Sequence, residues 1–168
     1  MSASVTVGLL HPGRMGAAVA AQLMANGHTV LWCPDGRSPA THRRAEDAGL
    51  SPAPLEQLLA DSEIVLSICP PAVAEEIATT VAEIEYRGIY VEANAISPAR
   101  MHRIAARFTE AEAAVVDGCF VGSPPGGHPP LGSTSPEPRP RAVGLRTCSP
   151  APWSNLSCSG SSRARPAP

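Results

Sequence analysis

The sequence predicts an α/β domain, a doubly wound parallel sheet with helices on both faces, followed by a disordered tail. Two observations carry this. Short runs that are apolar throughout alternate with stretches whose apolar residues recur at helical spacing, and that alternation stops near residue 122. Strands buried on both faces read as continuous apolar runs, and amphipathic stretches between them supply the covering helices. Residues 1–122 hold 8 Arg against 14 acidic residues, a formal charge of −6. Residues 123–168 hold 5 Arg and a single acid, Glu137, with 11 of the 19 prolines, 9 serines and no Ile, Met, Phe or Tyr. Such a segment cannot bury enough apolar surface to offset its ordering entropy. Two units are therefore expected: a globular domain over 1–122 and a Pro/Ser/Arg-rich disordered tail over 123–168.

The elements follow in order. VTVGLL, residues 5–10, is short, apolar and partly β-branched, which predicts a buried strand. After a turn, Met15, Val19, Leu23 and Met24 recur at helical spacing with Ala between them, and Asn26-Gly27 ends that helix. HTVLWC, 28–33, is a second strand. Ser38 caps a helix to about Ala48, closed by Gly49. Pro54 opens the short helix LEQLLAD. EIVLSIC, 63–69, is a third strand, and Val73, Ile77, Val81 and Ile84 mark a helix over 72–84. GIYVEA is a strand, Ser97-Pro98 opens a helix to about Ala113, and AVVDG is the last strand.

Over all 168 residues the formal charge is −2, 43 % of residues are hydrophobic and 17 % are charged, with no Lys. That balance gives no electrostatic case for nucleic acid. No run of 18 apolar residues suggests a membrane span, and the start MSASVTVG lacks the basic and apolar regions of a signal peptide. A cytoplasmic location is expected. The five cysteines show no spacing that pairs them with His for a metal, so no metal site is expected.

Between the first strand and first helix stands His11-Pro12-Gly13-Arg14-Met15-Gly16. The dinucleotide fingerprint G-x-G-x-x-G occupies this strand–turn–helix setting, and Gly13 and Gly16 fill its second and third positions. The second glycine lets backbone amides approach a pyrophosphate, and the third lets the helix pack close to the strand. The helix N-terminus adds partial positive charge. His11 replaces the first glycine, and Pro12 favours an extended conformation at His11, so the tight turn must be made differently. This context predicts dinucleotide binding by residues 11–16. The second strand runs into Cys33-Pro34-Asp35-Gly36-Arg37-Ser38. An acid here favours the ribose hydroxyls of NAD, whereas Arg favours the 2′-phosphate of NADP. Asp35 argues for the first, Arg37 and Ser38 for the second. A guanidinium matches a phosphate fork, which makes NADP the preferred cofactor and NAD the alternative. His28 reads as a turn residue, His42 and His102 as solvated, and His11 chiefly as a turn residue, so no side chain is assigned a catalytic role.

GLLHPGRMGAAVAAQLMANGHTVLWCPDGRS resembles the cofactor domain of the β-hydroxyacid dehydrogenase superfamily, which includes 6-phosphogluconate and 3-hydroxyisobutyrate dehydrogenases and imine reductases. LSICPPAV resembles that superfamily's loop beside the cofactor, which adds Cys69, Pro70, Pro71 and Val73 to the cofactor-binding set. EANAISP resembles its acid-x-Ser-Thr-x-Ser-Pro segment near the nicotinamide ribose, with Asn94-Ala95 where Ser-Thr is usual. VVDGCFVG resembles the strand that leads to the substrate segment, which puts Asp117, Gly118 and Gly122 on the substrate side. The likeness covers about residues 5–125. It implies a Rossmann-like NAD(P)-binding domain of an oxidoreductase that acts on a small molecule.

In that superfamily a helical domain follows, with a catalytic Lys and the dimer contacts. Here neither Lys nor a helical pattern follows residue 125, and the tail reads like the product of a truncation or frameshift. The chain is therefore expected to bind the dinucleotide and to turn over negligibly by itself. The alternative is a non-catalytic dinucleotide-binding sensor or partner module. An apolar docking face is expected to promote self-association, a homodimer being one form.

Overall fold

The structure, a computed structural model, describes residues 4–109, 113–120 and 146–148. The elements run β1 (Thr6–Leu9), α1 (Arg14–Ala25), β2 (Thr29–Trp32), α2 (Pro39–Asp47), β3 (Ser51–Pro52), α3 (Leu55–Asp61), β4 (Ile64–Ser67), α4 (Ala74–Glu83), β5 (Ile89–Glu92), α5 (Pro98–Arg107), β6 (Ala114–Asp117) and β7 (Arg146–Cys148). The strand order is β3-β2-β1-β4-β5-β6-β7. Pairings from β3 to β6 are parallel, and β7 lies antiparallel to β6. The first six strands thus have the 3-2-1-4-5-6 order of the doubly wound dinucleotide fold, whose switch point falls between β1 and β4.

The alternation of strand side chains divides the core into two layers. Val7, Leu9, Val30, Trp32 and Leu66 meet Ala20 of α1 and Ala45 of α2 on one face. Leu10, Val65, Tyr90 and Val115 meet Leu58 of α3, Val81 of α4 and Ile104 of α5 on the other. Gly8 sits where α3 comes closest to the sheet. A Cβ there would run into the buried Leu58 side chain and stand 2.7 Å from Ser62 Oγ, so glycine lets α3 come this close without either side chain moving.

Helix starts follow the sequence closely. Ser38 Oγ accepts from Thr41 N–H at 3.3 Å, Ser97 Oγ accepts from Arg100 N–H at 3.4 Å, and a proline follows each cap. On the neighbouring faces of α4 and α5, the Glu75 carboxylate accepts from Arg100 Nε at 2.8 Å and from Arg103 Nε and Nη2 at 3.0 and 2.8 Å. These two guanidinium groups pull the Glu75 carboxyl down to about 2.

Four features differ from the sequence reading. The helix opened by Ser97 ends at Arg107, and Phe108, its C-cap, buries its ring on Tyr90, 4.6 Å between centroids. The segment 72–84 begins as a 3₁₀ turn over Pro71–Val73 before α4. Two residues, Ser51 and Pro52, make the edge strand β3, too short to leave a period-two signal. His42, read as solvated, packs edge-on against Trp32 with centroids 5.0 Å apart. The disordered tail expected over 123–168 lies outside the described residues except for β7, a strand that the composition did not suggest; Gly122 lies outside them as well.

Candidate functional site

Every described residue singled out in the sequence as binding cofactor or substrate lies at the C-terminal edge of the sheet. His11–Gly16 follow β1, Asp35–Ser38 follow β2, Cys69–Val73 follow β4, Asn94 follows β5, and Asp117 and Gly118 end β6. Open α/β sheets bind ligands at this edge, in the crevice beside the switch point.

The turn after β1 is built around two carbonyls. Gly13 N–H donates to the His11 carbonyl at 2.8 Å, and Ala17 N–H donates to the Gly13 carbonyl at 2.9 Å as α1 begins. Gly13 is the N-cap of α1, with φ −67° and ψ −173°, and no side chain caps the helix. The first turn carries no acid, so its free N–H groups and the helix dipole offer an anion site. A Cβ on Gly13 would meet only the His11 ring, 3.7 Å to Cδ2 and 3.8 Å to Nε2, and would otherwise fill open space above the helix end. Gly16 is different: a Cβ there would strike the His11 carbonyl at 2.6 Å. Thus Gly13 keeps a cradle open, while Gly16 lets α1 lie against the strand. Pro12 is fully buried, Met15 half-buried and Arg14 exposed.

Two guanidinium groups converge on this turn. Arg37 Nη2 donates to the Leu10 carbonyl at 3.0 Å, and Arg44 Nε of α2 donates to the Pro12 carbonyl at 3.5 Å. Arg44 Nη2 also donates to Thr41 Oγ1 at 3.1 Å. Arg37 Nε and His11 Nδ1 are buried without hydrogen-bond partners among the described residues. Burial, then Arg37, then Arg44, lower the pKa of His11 below its ordinary 6.5. Asp35 is exposed, with the Cys33 thiol 3.9 Å from its carboxylate. Ser38 Oγ is engaged in capping α2.

Further along the edge, β4 and β5 are joined by buried polar groups. Asn94 Oδ1 accepts from Cys69 N–H at 2.7 Å, and Asn94 Nδ2 donates to Ser67 Oγ and Cys69 Sγ, each at 3.3 Å. The fully buried Glu92 carboxylate accepts from Asn94 N–H at 3.1 Å, from Asn94 Nδ2 and from Tyr90 Oη at 3.4 Å. Desolvation raises the Glu92 pKa despite these donors, and it raises that of Cys69. Pro70, Pro71 and Val73 form the exposed rim of the same loop. Asp117 stands in register beside Glu92, and Gly118 N–H donates to the Glu92 carbonyl at 2.8 Å.

Sequence reasoning did not single out Arg44, Glu92 or Ser67. Arg44 stands in the charged run HRRAED, which reads as a solvated helix face. Glu92 ends an apolar strand, and an ionisable residue in that place was the available signal. At the opposite edge of the sheet a shallow depression of about 300 Å3 is lined by Leu59, Ser62, Tyr86 and Gly88, away from all these loops. Among the described residues no group of His, Cys, Asp or Glu is arranged to hold a metal, and no helix is long and apolar enough to cross a membrane.

Comparison with known proteins gives one family, described as NADP oxidoreductase coenzyme F420-dependent, which matches residues 6–96. No curated protein matches the chain in sequence. Among solved structures, a conserved protein of unknown function with structural similarity to 3-hydroxyacid dehydrogenases superposes with a TM-score of 0.66 at 29 % identity, covering 71 % of this chain and 45 % of its own. The 3-hydroxyisobutyrate dehydrogenase of Mycobacterium tuberculosis gives 0.64 at 21 %, covering 72 % and 42 %. An imine reductase from Myxococcus stipitatus in complex with NADP+ gives 0.61 at 18 %, covering 71 % and 42 %. The chain therefore spans less than half the length of each of these proteins.

Proposed function

The chain belongs to the family of coenzyme F420-dependent NADP oxidoreductases, and from that premise we propose that residues 1–122 are its nicotinamide-dinucleotide-binding domain, with NADP(H) preferred over NAD(H). The observation that carries this is the open cradle over Gly13, at the uncapped start of α1, with Arg37 and Arg44 converging beside it. The Cδ2–Nε2 edge of His11 lines the same place and offers it a polar ring atom.

In this reading the first-turn N–H groups of α1, with His11, Pro12, Gly13, Arg14, Met15 and Gly16 around them, hold the pyrophosphate. Arg37 takes the 2′-phosphate, with Ser38 and Asp35 framing the ribose. Cys69, Pro70, Pro71, Val73 and Asn94 flank the nicotinamide end, and Asp117 and Gly118 lie toward the substrate. The bound dinucleotide supplies or accepts a hydride at nicotinamide C4. The chain's own part is to fix that ring against the β4 and β5 loops, whose geometry the Asn94 bridge sets. The substrate is a small molecule, and the complete reaction belongs to the oxidoreductase as a whole.

Calorimetric titration of the chain with NADPH and NADH tests the proposal. A charge-assisted contact from Arg37 contributes about 1.5–3 kcal/mol, so NADPH should bind about ten- to a hundredfold more tightly than NADH. Arg37→Ala should erase most of that difference. Equal affinities in the unmodified chain would reject the NADP preference, and no binding of either nucleotide would reject the site.

A further inference from the structure

We propose that His11 takes up a proton from solvent as the dinucleotide's phosphates bind, which makes cofactor binding by this chain proton-linked. The inference rests on reading the 11–16 turn as the phosphate site. His11 puts a side chain where the fingerprint has a glycine, and its Cδ2–Nε2 edge forms the wall of the cradle, 3.7–3.8 Å from where a Gly13 Cβ would stand. Its other nitrogen, Nδ1, is buried and unpartnered among the described residues. Arg37 and Arg44 hold the carbonyls of the residues on either side of it, Leu10 and Pro12. Three sources of positive potential, the two guanidinium groups and the start of α1, therefore bear on one imidazole.

The charged and titratable groups on the surrounding elements are Arg14 on α1, Cys33, Asp35 and Arg37 at the end of β2, Arg44 on α2, and Cys69 after β4. Of these, Arg37 and Arg44 act on His11, both opposing its protonation, and among the described residues no carboxylate acts in the other direction. In the free chain burial and the two guanidinium groups disfavour the imidazolium. A pyrophosphate in the cradle brings negative charge against the Nε2 edge and reverses the balance, so the imidazolium becomes the favoured partner. The sign follows. The bound pKa lies above the free pKa, and between the two values binding draws one proton from the buffer onto the imidazole. Affinity then rises as pH falls, by at most tenfold per pH unit for one linked proton. Above the bound pKa this dependence vanishes.

The test is calorimetric titration of the full chain with NADPH near neutral pH, in two buffers of different ionisation enthalpy. His11→Gln and His11→Gly, the latter restoring the fingerprint, are titrated alongside. The 2′-phosphate of NADPH titrates near pH 6 by itself, as phosphomonoesters do, but it does so in all three proteins. The difference between them is therefore the readout. The unmodified chain should take up a larger fraction of a proton than either variant and show a steeper change of Kd with pH. Equal uptake by all three would overturn the inference while leaving the cofactor site intact. Failure of the unmodified chain to bind NADPH or NADH would overturn the cofactor site and the inference together.

Discussion

Gly13 and Gly16 stand three residues apart, and the structure gives them opposite jobs, which substitution should separate. At Gly13 the backbone is ordinary for any residue, and a Cβ makes only van der Waals contact with the His11 ring. Gly13→Ala loses unfolded-state entropy, a gain of about 0.4–1 kcal/mol, offset by the poorer N-capping of Ala. Stability should change by less than about 1 kcal/mol. At Gly16 the added carbon would lie 2.6 Å from a backbone carbonyl, which cannot swing away as a side chain can. Overpacking of this kind costs about 1–3 kcal/mol, reduced by up to about 1 through the better helix propensity of Ala. The net loss of about 1–2 kcal/mol should lower Tm by roughly 5–15 °C in a domain of this size. NADPH affinity should show the reverse order. Gly13→Val fills the cradle and, through the loss of one charge-assisted amide contact of about 1.5–3 kcal/mol, should weaken binding at least tenfold in a chain that still folds. Thermal unfolding and calorimetry on the same preparations measure both quantities. If Gly13→Val binds NADPH as the unmodified chain does, the cradle is not the phosphate site. If Gly16→Ala melts unchanged, the steric argument for α1 is wrong.

Three other outcomes follow from the charged groups. Arg44→Gln removes one of the two cations that, together with burial, lower the His11 pKa, so an NMR titration of the free chain should find that pKa higher than in the unmodified protein; an unchanged value would mean that Arg44 does not act on it. The buried Glu92 carboxyl titrates above its ordinary 4.5 in the fold, so the folded state keeps a proton that the unfolded state has lost. Stability should therefore decline as pH rises from about 4.5 through the folded value, and Glu92→Gln should flatten that part of a urea-unfolding series; identical slopes would refute it. Glu75 behaves in the opposite sense. Its carboxyl is held down to about 2, so the stability it contributes is full above 4.5 and lost as pH falls toward 2. Glu75→Gln should unfold with less acid dependence across that window, measured by circular dichroism, and an unaltered acid limb would remove the Arg100–Glu75–Arg103 link from the account.

Much of the fold was legible because its signals are local. The apolar runs at 5–10, 28–33 and 63–69 each contain a strand, and Ser38-Pro39 and Ser97-Pro98 start helices where capping chemistry puts them. Gly16 was legible because its close approach to the His11 carbonyl leaves no room for a Cβ, and Gly13 because the fingerprint spacing singles it out. What escaped depends on tertiary direction. Arg44 differs from its solvated neighbour Arg43 only in the face of α2 it occupies, and that face is set by packing against the 11–13 turn. Glu92 alternates with Tyr90 toward one side of β5, and its burial follows from Asn94 folding back over it, a loop geometry with no periodic signature. Phe108 reads as a helix residue by spacing, yet it is the residue that caps the helix end, its ring packed on Tyr90. Strand β3, two residues long, carries no pattern at all.

The bond from Arg37 to the Leu10 carbonyl has a thermodynamic side. A free arginine side chain surrenders up to about 2 kcal/mol of rotamer entropy when it is immobilised. Here that entropy is already surrendered during folding, since the guanidinium is tethered across 27 positions of sequence to the end of β1. A ligand that reaches the crevice meets a cation in place rather than one that must be recruited from solvent, and this is preorganisation. The same tether makes the loop after β2 and the loop after β1 a single unit, so that this side of the crevice is shaped before any ligand arrives.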